Sequence, residues 1–196
     1  TIWIGTRNGL AKYNQRTDNF TGYISEDTSF GRPACNEIIS LMESSQGVLW
    51  VGTWYGGLAR FNKETGQFRY YFGEGDTLTI PRIRTLFQRT ANSFYLGSDD
   101  GLYTFNTTTG ECLPTDDEQN KESIYACYQD REGGIWIGTY FSGVSYLSPK
   151  HKDIEWYYPN GTENSLSGNV ISQFCEDPDG NIWIATKGDG IILAEK

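Results

Sequence analysis

The sequence predicts an all-β chain, a partial β-propeller of about four to five four-stranded antiparallel blades. The first observation behind this is a repeat. Trp3-Ile4-Gly5-Thr6, Trp50-Val51-Gly52-Thr53, Tyr95-Leu96-Gly97-Ser98, Trp136-Ile137-Gly138-Thr139 and Trp183-Ile184-Ala185-Thr186 are variants of one motif, each followed shortly by a Gly and a second apolar segment. The opening aromatics stand at 3, 50, 95, 136 and 183, in steps of 47, 45, 41 and 47 residues. A period of about 40–50 residues built from short strands marks a propeller or a related array. The second observation is composition: 15% aromatic residues, 21% charged residues and 23 glycines suit a packed β protein with many turns, not a disordered chain. The third is that a full repeat resolves into four strand segments, as a propeller blade requires.

Repeat two shows the segments most clearly. Ile38-Ile39-Ser40-Leu41-Met42-Glu43 alternates and predicts the first strand. Ser45-Gln46-Gly47 is a tight turn, and Leu49 to Thr53 is the second strand. Leu58 to Asn62 is the third, Lys63-Glu64-Thr65-Gly66 a turn, and Gln67 to Phe72 the fourth. By the same pattern, Ile83 to Gln88, Ile124 to Gln129 and Val170 to Cys175 are first strands. Phe20 to Ile24, Ile154 to Tyr158 and the weaker Glu111 to Pro114 are fourth strands. The second strands are apolar on both faces, as strands covered on two sides must be. The small residue two places after each aromatic (Gly5, Gly52, Gly97, Gly138, Ala185) predicts close approach of a neighbouring strand or ring. Asp130 to Gly134 and Asp177 to Asn181 read as hairpin turns with Asp opening and Gly in the left-handed position.

The repeats fall at about 1–35, 36–80, 81–121, 122–168 and 169–196, all within one partial propeller over 1–196. The first lacks its first strand and the last lacks its fourth, so 18 strands are expected and no regular ring closes. The chain therefore reads as a fragment of a larger propeller, with sheet faces left for further blades or for another copy.

A net charge of −9 opposes a nucleic-acid footprint, which needs clustered Lys and Arg, and opposes adhesion to an anionic membrane surface. No run approaches the roughly 20 apolar residues of a spanning helix, so no membrane insertion is expected of this region. The chain starts inside a repeat, so the lack of a leader says nothing about compartment. Cys35, Cys112, Cys127 and Cys175 have no CxxC spacing, which opposes a zinc site. Cys127 and Cys175 fall in predicted strands and read as small buried hydrophobes, and one disulfide of unassigned pairing is open.

The ordered pattern of Asn, alternating strand, acid-rich turn, Gly, Leu/Ile-Trp-Ile-Gly-Thr, Gly-Leu, Tyr/Phe-Asn, Thr-Gly, Phe and Tyr resembles the two-component regulator propeller repeat. The resemblance is strong over Asn36 to Phe72 and Asn169 to Ile192. It is weaker over Arg84 to Pro114, where Tyr95 replaces Trp, Ser98 replaces Thr, and Arg89 to Ser93 lacks the acid–Gly turn. It implies the periplasmic sensor region of a hybrid two-component system, a seven-bladed parent propeller, and an oligosaccharide signal that regulates glycan-utilisation genes through a downstream kinase. The implied partners are that oligosaccharide, the remaining blades and downstream domains of the parent chain, and a second copy in a homodimer. No ligand contacts carry over, because the repeat motif is structural.

The loops between second and third strands lie on the same face as the connections between blades. They vary where the frame repeats, which is where binding is expected. Trp54, Tyr55, Tyr140 and Phe141 offer rings that can stack on a sugar, and Asn8, Asp99, Asp100, Lys187 and Asp189 offer hydrogen bonds to its hydroxyls. This mixture suits a neutral polyol. The alternative is that the aromatics pack over the blade edge. Asp116-Asp117-Glu118 reads as a solvated acidic loop. Asp177 and Asp179 hint at calcium but lack the further acidic ligands of a calcium loop, so no metal or cofactor is assigned. His151 is the only histidine and has no motif partner, so no catalytic residue is assigned and the fragment is not expected to be an enzyme. The readings kept beside a sensor are a propeller polysaccharide lyase or glycosidase, and a structural propeller that contacts protein.

Overall fold

A computed structural model describes residues 1–26, 36–72, 80, 82–115, 121–149, 154–163 and 165–194. It contains 18 strands in five antiparallel sheets. Sheet one is β1 (Ile2–Thr6), β2 (Gly9–Asn14) and β3 (Asn19–Tyr23). Sheet two is β4 (Ile38–Glu43), β5 (Leu49–Thr53), β6 (Leu58–Phe61) and β7 (Phe68–Tyr71). Sheet three is β8 (Ile83–Thr90), β9 (Ser93–Ser98), β10 (Gly101–Asn106) and β11 (Cys112–Pro114). Sheet four is β12 (Ile124–Gln129), β13 (Ile135–Thr139), β14 (Val144–Leu147) and β15 (Ile154–Tyr157). Sheet five is β16 (Ile171–Glu176), β17 (Ile182–Thr186) and β18 (Gly190–Ala194). In every sheet neighbours in sequence are neighbours in space, the meander of a propeller blade.

The expected strands are all present. The last sheet's first strand runs one residue later than expected, Ile24, Gln67, Phe72, Glu111 and Tyr158 fall outside the fourth strands, and Asn62 falls outside the third strand of sheet two. In sheet three β8 runs on to Thr90, because Thr90 pairs with Ser93 and the turn shortens to Ala91-Asn92. The acid–Gly turn is unnecessary there.

The described residues form two compact units, 1–98 with 103–113 and 99–102 with 114–196. In the first unit the repeat aromatic of one sheet packs on the next. Trp3 meets Phe61 at 5.3 Å, and Trp50 meets Phe94 at 5.0 Å and Phe105 at 5.6 Å, all edge-on. Such pairs prefer this geometry because a positive ring edge faces a negative ring face. In the second unit Trp136 packs on Phe174 at 6.4 Å. β5 and β13 are buried along their whole length. β1 and β17 depart from the two-sided burial expected of second strands: Ile2 and Ile4 are exposed, as is Trp183. Cys175 corrects the expectation of a buried thiol. It pairs with Trp183 across the sheet, shares that open face, and is exposed. Cys112 and Cys127 are unpaired among the described residues, and burial pushes both thiols up to about 12. Cys35 lies outside the described residues.

The small residue two places after the aromatic is a close-approach position in sheets one, two and four. A Cβ on Gly5 would stand 2.6 Å from Ile38 Cγ2, on Gly52 2.5 Å from the Ile83 carbonyl oxygen, and on Gly138 2.5 Å from Ile171 Cγ2. In each case the first strand of the following sheet is met, and at Gly52 the Cβ would also meet Ser40 Oγ of its own sheet. The glycine therefore sets how near two sheets stack, which places the loops of one beside the strand starts of the next.

Candidate functional site

In four of the five sheets a threonine ends the second strand and builds the loop after it. Thr53 Oγ1 donates to the Gly57 carbonyl at 2.9 Å and accepts from the Gly56 N–H at 2.9 Å. Thr139 does the same with Gly143 and Ser142, at 2.9 and 2.8 Å. Thr6 closes on Gly9, and Thr186 on Gly190. In three sheets the residue after the threonine is anchored through its backbone N–H. Trp54 N–H donates to the Glu37 carbonyl, Tyr140 N–H to Ser123 and Lys187 N–H to Val170, each at 2.9 Å. Each acceptor is the residue just before the first strand of the same sheet. A second tie joins consecutive sheets, as Gly9 N–H donates to Asn36 and Gly143 N–H to Asn169. These bonds satisfy loop backbone that would otherwise need water and leave the side chains after the threonine, Arg7, Trp54, Tyr140 and Lys187, open to variation.

In the first unit the loop of sheet two carries Trp54 and Tyr55, whose rings meet edge-on at 6.2 Å. The Arg82 guanidinium lies 4.5 Å from the Trp54 ring centroid and 5.8 Å from that of Tyr55. Arg84 lies 5.3 Å from Trp54. Both arginines come from the start of sheet three, within the approach that Gly52 allows. Tyr55 is 53% exposed. Glu37, whose carbonyl holds Trp54, faces Arg7 of the preceding loop at 3.7 Å. Asn8 is exposed beside Arg7, its N–H on Thr6 Oγ1.

In the second unit the loop of sheet four carries Tyr140 and Phe141, edge-on at 4.3 Å. Tyr125 of β12 stacks on Tyr140 at 4.8 Å, and Lys187 Nζ from sheet five lies 5.9 Å from its ring. Phe141 is 63% exposed. Asp189 is exposed at the next loop, where its carbonyl accepts from Ser167 Oγ at 3.0 Å. Asp99 accepts from Ser123 Oγ at 3.4 Å, and Asp100 is exposed.

The structure thus joins Trp54 with Tyr55, and Tyr140 with Phe141 and Lys187. Arg82, Arg84 and Tyr125 complete these groups and were not singled out in the sequence. Arg82 and Arg84 flank Ile83 in alternation, so a strand puts both on the face opposite Ile83. Only the approach of sheet three to sheet two brings that face to Trp54. Asp177 is committed to its turn: it accepts from Asp179 N–H, Asn181 N–H, Asn181 Nδ2 and Trp183 Nε1 at 2.9–3.1 Å. These bonds, led by the Asn181 side chain, hold its carboxyl below the usual range. Asp116-Asp117-Glu118 and His151 lie outside the described residues. A cleft of about 1100 Å³ in the second unit is lined by Trp136, Tyr146, Trp156, Tyr157 and Ile192. It runs along β18 at the place β7 and β15 hold in sheets two and four, so it is a gap in the strand pattern and not a loop-built site.

Meandering four-stranded sheets joined through aromatic-on-aromatic contacts define a β-propeller repeat protein. The model of the two component regulator propeller family matches three segments of the chain, residues 33–55, 118–141 and 165–188. No curated protein matches the chain. Among solved structures it is similar to the extracellular domain of the putative hybrid two component system BT4673 from B. thetaiotaomicron, with TM-score 0.79 and 24% identity over 99% of this chain and 26% of that one. The corresponding domain of BT3049 from the same organism gives TM-score 0.63 and 22% identity, over 97% of this chain and 31% of that one. Virginiamycin B lyase from Staphylococcus aureus gives TM-score 0.67 at 10% identity, over 99% of this chain and 66% of that one. These likenesses show the fold. The chain spans between a quarter and a third of the two extracellular domains.

Proposed function

We propose that this chain is part of the extracytoplasmic, periplasmic sensor region of a hybrid two-component system, and that its loop face binds an oligosaccharide. In this reading binding changes the arrangement of domains, or of two copies, in a membrane-anchored parent. Its kinase then adjusts transcription of glycan-utilisation genes. A ligand drives such a switch only through unequal affinity for its two states. The three segments that match the two component regulator propeller family support the sensing role. The observation that carries the ligand class is the pair of aromatic loops, in which Tyr55 and Phe141 stand exposed beside a partly buried Trp54 and Tyr140 on anchored backbone. Exposed rings on a rigid frame suit the apolar faces of sugars.

Thermal unfolding of the chain against plant and host oligosaccharides, with product analysis of each mixture, tests this. A ligand at about a hundred times its dissociation constant adds about 2.7 kcal/mol. A selective rise with the sugar intact, lost in Trp54→Ala or Tyr140→Ala, supports the reading. A flat panel removes the site from this chain, and product release replaces the sensor with a lyase or glycosidase.

A further inference from the structure

We infer that Phe141 is the ring that touches the sugar at the loop of the second unit, and that Tyr125 and Tyr140 are positioning residues that hold it there. The inference rests on the oligosaccharide reading and assigns roles within the site of sheet four. Phe141 is 63% exposed, and the backbone on both sides of it is fixed. Tyr140 N–H donates to the Ser123 carbonyl at 2.9 Å, Ser142 N–H to Thr139 Oγ1 at 2.8 Å, and Gly143 N–H to the Asn169 carbonyl at 3.1 Å. A single exposed apolar residue is ordinary on a protein surface. Among the described residues, however, the other exposed large apolar side chains belong to the strands of sheets one and five or to fourth strands and the residue after them, apart from Tyr55 in the matching loop. Phe141 differs in standing at the tip of a loop with anchored backbone, so it has little freedom to lose when a ligand docks on it. Its phenyl ring has no hydroxyl, and what it presents is an apolar surface for the C–H face of one pyranose unit.

The support is a row of rings. Phe141 meets Tyr140 edge-on at 4.3 Å, with 76° between the planes. Tyr140 stacks on Tyr125 at 4.8 Å, with 25° between the planes. Tyr140 is half-buried, and Phe141 stands at the open end of the row. Tyr125 reaches Tyr140 through a β-bulge. The β12–β13 register pairs Ile124 with Thr139 and then Ala126 with Gly138, so Tyr125 is the extra residue. A bulge re-aims the side chain of its extra residue. Sheets two, three and five bulge at the matching place, at Ile39, Arg84 and Ser172. The frame offers the position in all four sheets, and in sheet four it carries a ring that stacks on the loop of its own sheet. A side chain packed against a supporting ring keeps its rotamer, and a site whose support is loosened loses its geometry. Tyr125 thus fixes Tyr140, and Tyr140 fixes the angle at which Phe141 is presented.

The test uses the chain labelled with para-fluorophenylalanine and read by fluorine NMR, with cellotetraose, xylotetraose, mannotetraose and laminaritetraose as probes. Phe141→Leu identifies the Phe141 resonance. At least one probe is expected to shift that resonance. In calorimetric titration Phe141→Leu should bind this probe about tenfold more weakly, whereas Phe141→Tyr, which keeps the flat ring, should bind it as the unaltered chain does. Tyr125→Ala should weaken the same probe and move the Phe141 resonance before any sugar is added, and Tyr125→Phe should restore both. Unfolding midpoints are measured for every variant, and Tyr125→Leu takes the place of Tyr125→Ala where the alanine chain does not fold. A probe that binds without shifting the Phe141 resonance, or that binds Phe141→Leu undiminished, overturns the inference and leaves the oligosaccharide reading standing. Unchanged affinity in Tyr125→Ala overturns the positioning role. No binding of any probe, together with a flat panel of plant and host oligosaccharides, overturns both the inference and the reading.

Discussion

Sheet two carries Leu49-Trp50-Val51-Gly52-Thr53 and sheet four Ile135-Trp136-Ile137-Gly138-Thr139, both buried throughout. Both close their loops through the threonine hydroxyl, and both tie the next residue's N–H to the carbonyl that precedes their first strand. Beyond that the two diverge. Sheet two takes two guanidiniums from the following sheet against Trp54, and sheet four takes a tyrosine from its own first strand against Tyr140. The turns at the opposite end differ too. In sheet four Asp130 accepts from Gly134 N–H at 2.8 Å and from Trp136 Nε1 at 3.1 Å. In sheet two Ser44 Oγ accepts from Val48 N–H at 3.3 Å. The frame is held by backbone and threonine, so the side chain just beyond the threonine can change from sheet to sheet at little structural cost.

The comparison breaks most sharply at the close-approach glycines. A Cβ at Gly52 meets the Ile83 carbonyl, which is backbone, whereas one at Gly138 meets the Ile171 side chain. Ile171 Cγ2 can turn aside, but its Cβ, 2.9 Å away, moves only with its strand, so both sites resist a methyl and Gly52 resists it more. Overpacking costs about 1–3 kcal/mol, and Gly52→Ala should fall at or above the top of that range and Gly138→Ala within it. Urea unfolding of both variants measures this, and equal losses would mean that the two sheet contacts yield alike. Gly52→Ala should also displace Arg82 and Arg84 from Trp54.

The opposite turns give the next effect. Asp130 is buried, and Asp130→Ala strands the indole N–H and two backbone N–H groups. Leaving a buried donor unmet costs about 1–3 kcal/mol. Ser44→Ala loses one long bond and should cost less than about 1 kcal/mol. A serine variant as damaging as the aspartate variant would sink the claim that sheet four depends more on its turn. Asp177 repeats the Asp130 arrangement at a partly exposed turn and adds a pH signature. Its carboxyl titrates below the ordinary 3.8, held by Asn181, Trp183 and Asp179. Its contribution is therefore present above pH 3.8 and is lost as pH falls through the lower native value. Asp177→Asn should flatten this part of the acid side of the stability profile, followed by unfolding from neutral pH to about pH 2.

The repeat made the frame legible. A fixed spacing of aromatic, small residue and threonine states strand, close approach and turn in one motif, and the expected strands of sheets two and four fall within a residue of their place. The loop aromatics were legible as departures from the repeat. Their partners were not, because Arg82 and Arg84 lie 28 and 30 positions from Trp54 in the chain and meet it only after two sheets stack. Cys175 and Trp183 were misjudged for a related reason. Alternation says which residues share a face, and only a neighbouring sheet says whether that face is covered.

The smallest expected effect separates the two loop sites by stability alone. Tyr140 is held by Tyr125 and Phe141, at 4.8 and 4.3 Å, and each such pair adds about 0.5–1.5 kcal/mol beyond burial. Lys187 at 5.9 Å adds a cation–π contact of about 0.5–1 kcal/mol at an exposed position. Lys187→Met should therefore lower stability by less than about 1 kcal/mol, and the loss should vanish in a Tyr140→Ala background, because the lysine then has no ring to face. A double-mutant cycle on unfolding free energies reads that coupling. Additive losses would show that Lys187 serves sheet five and not the ring, which would leave the aromatic loop of sheet four without a cation and widen its difference from sheet two.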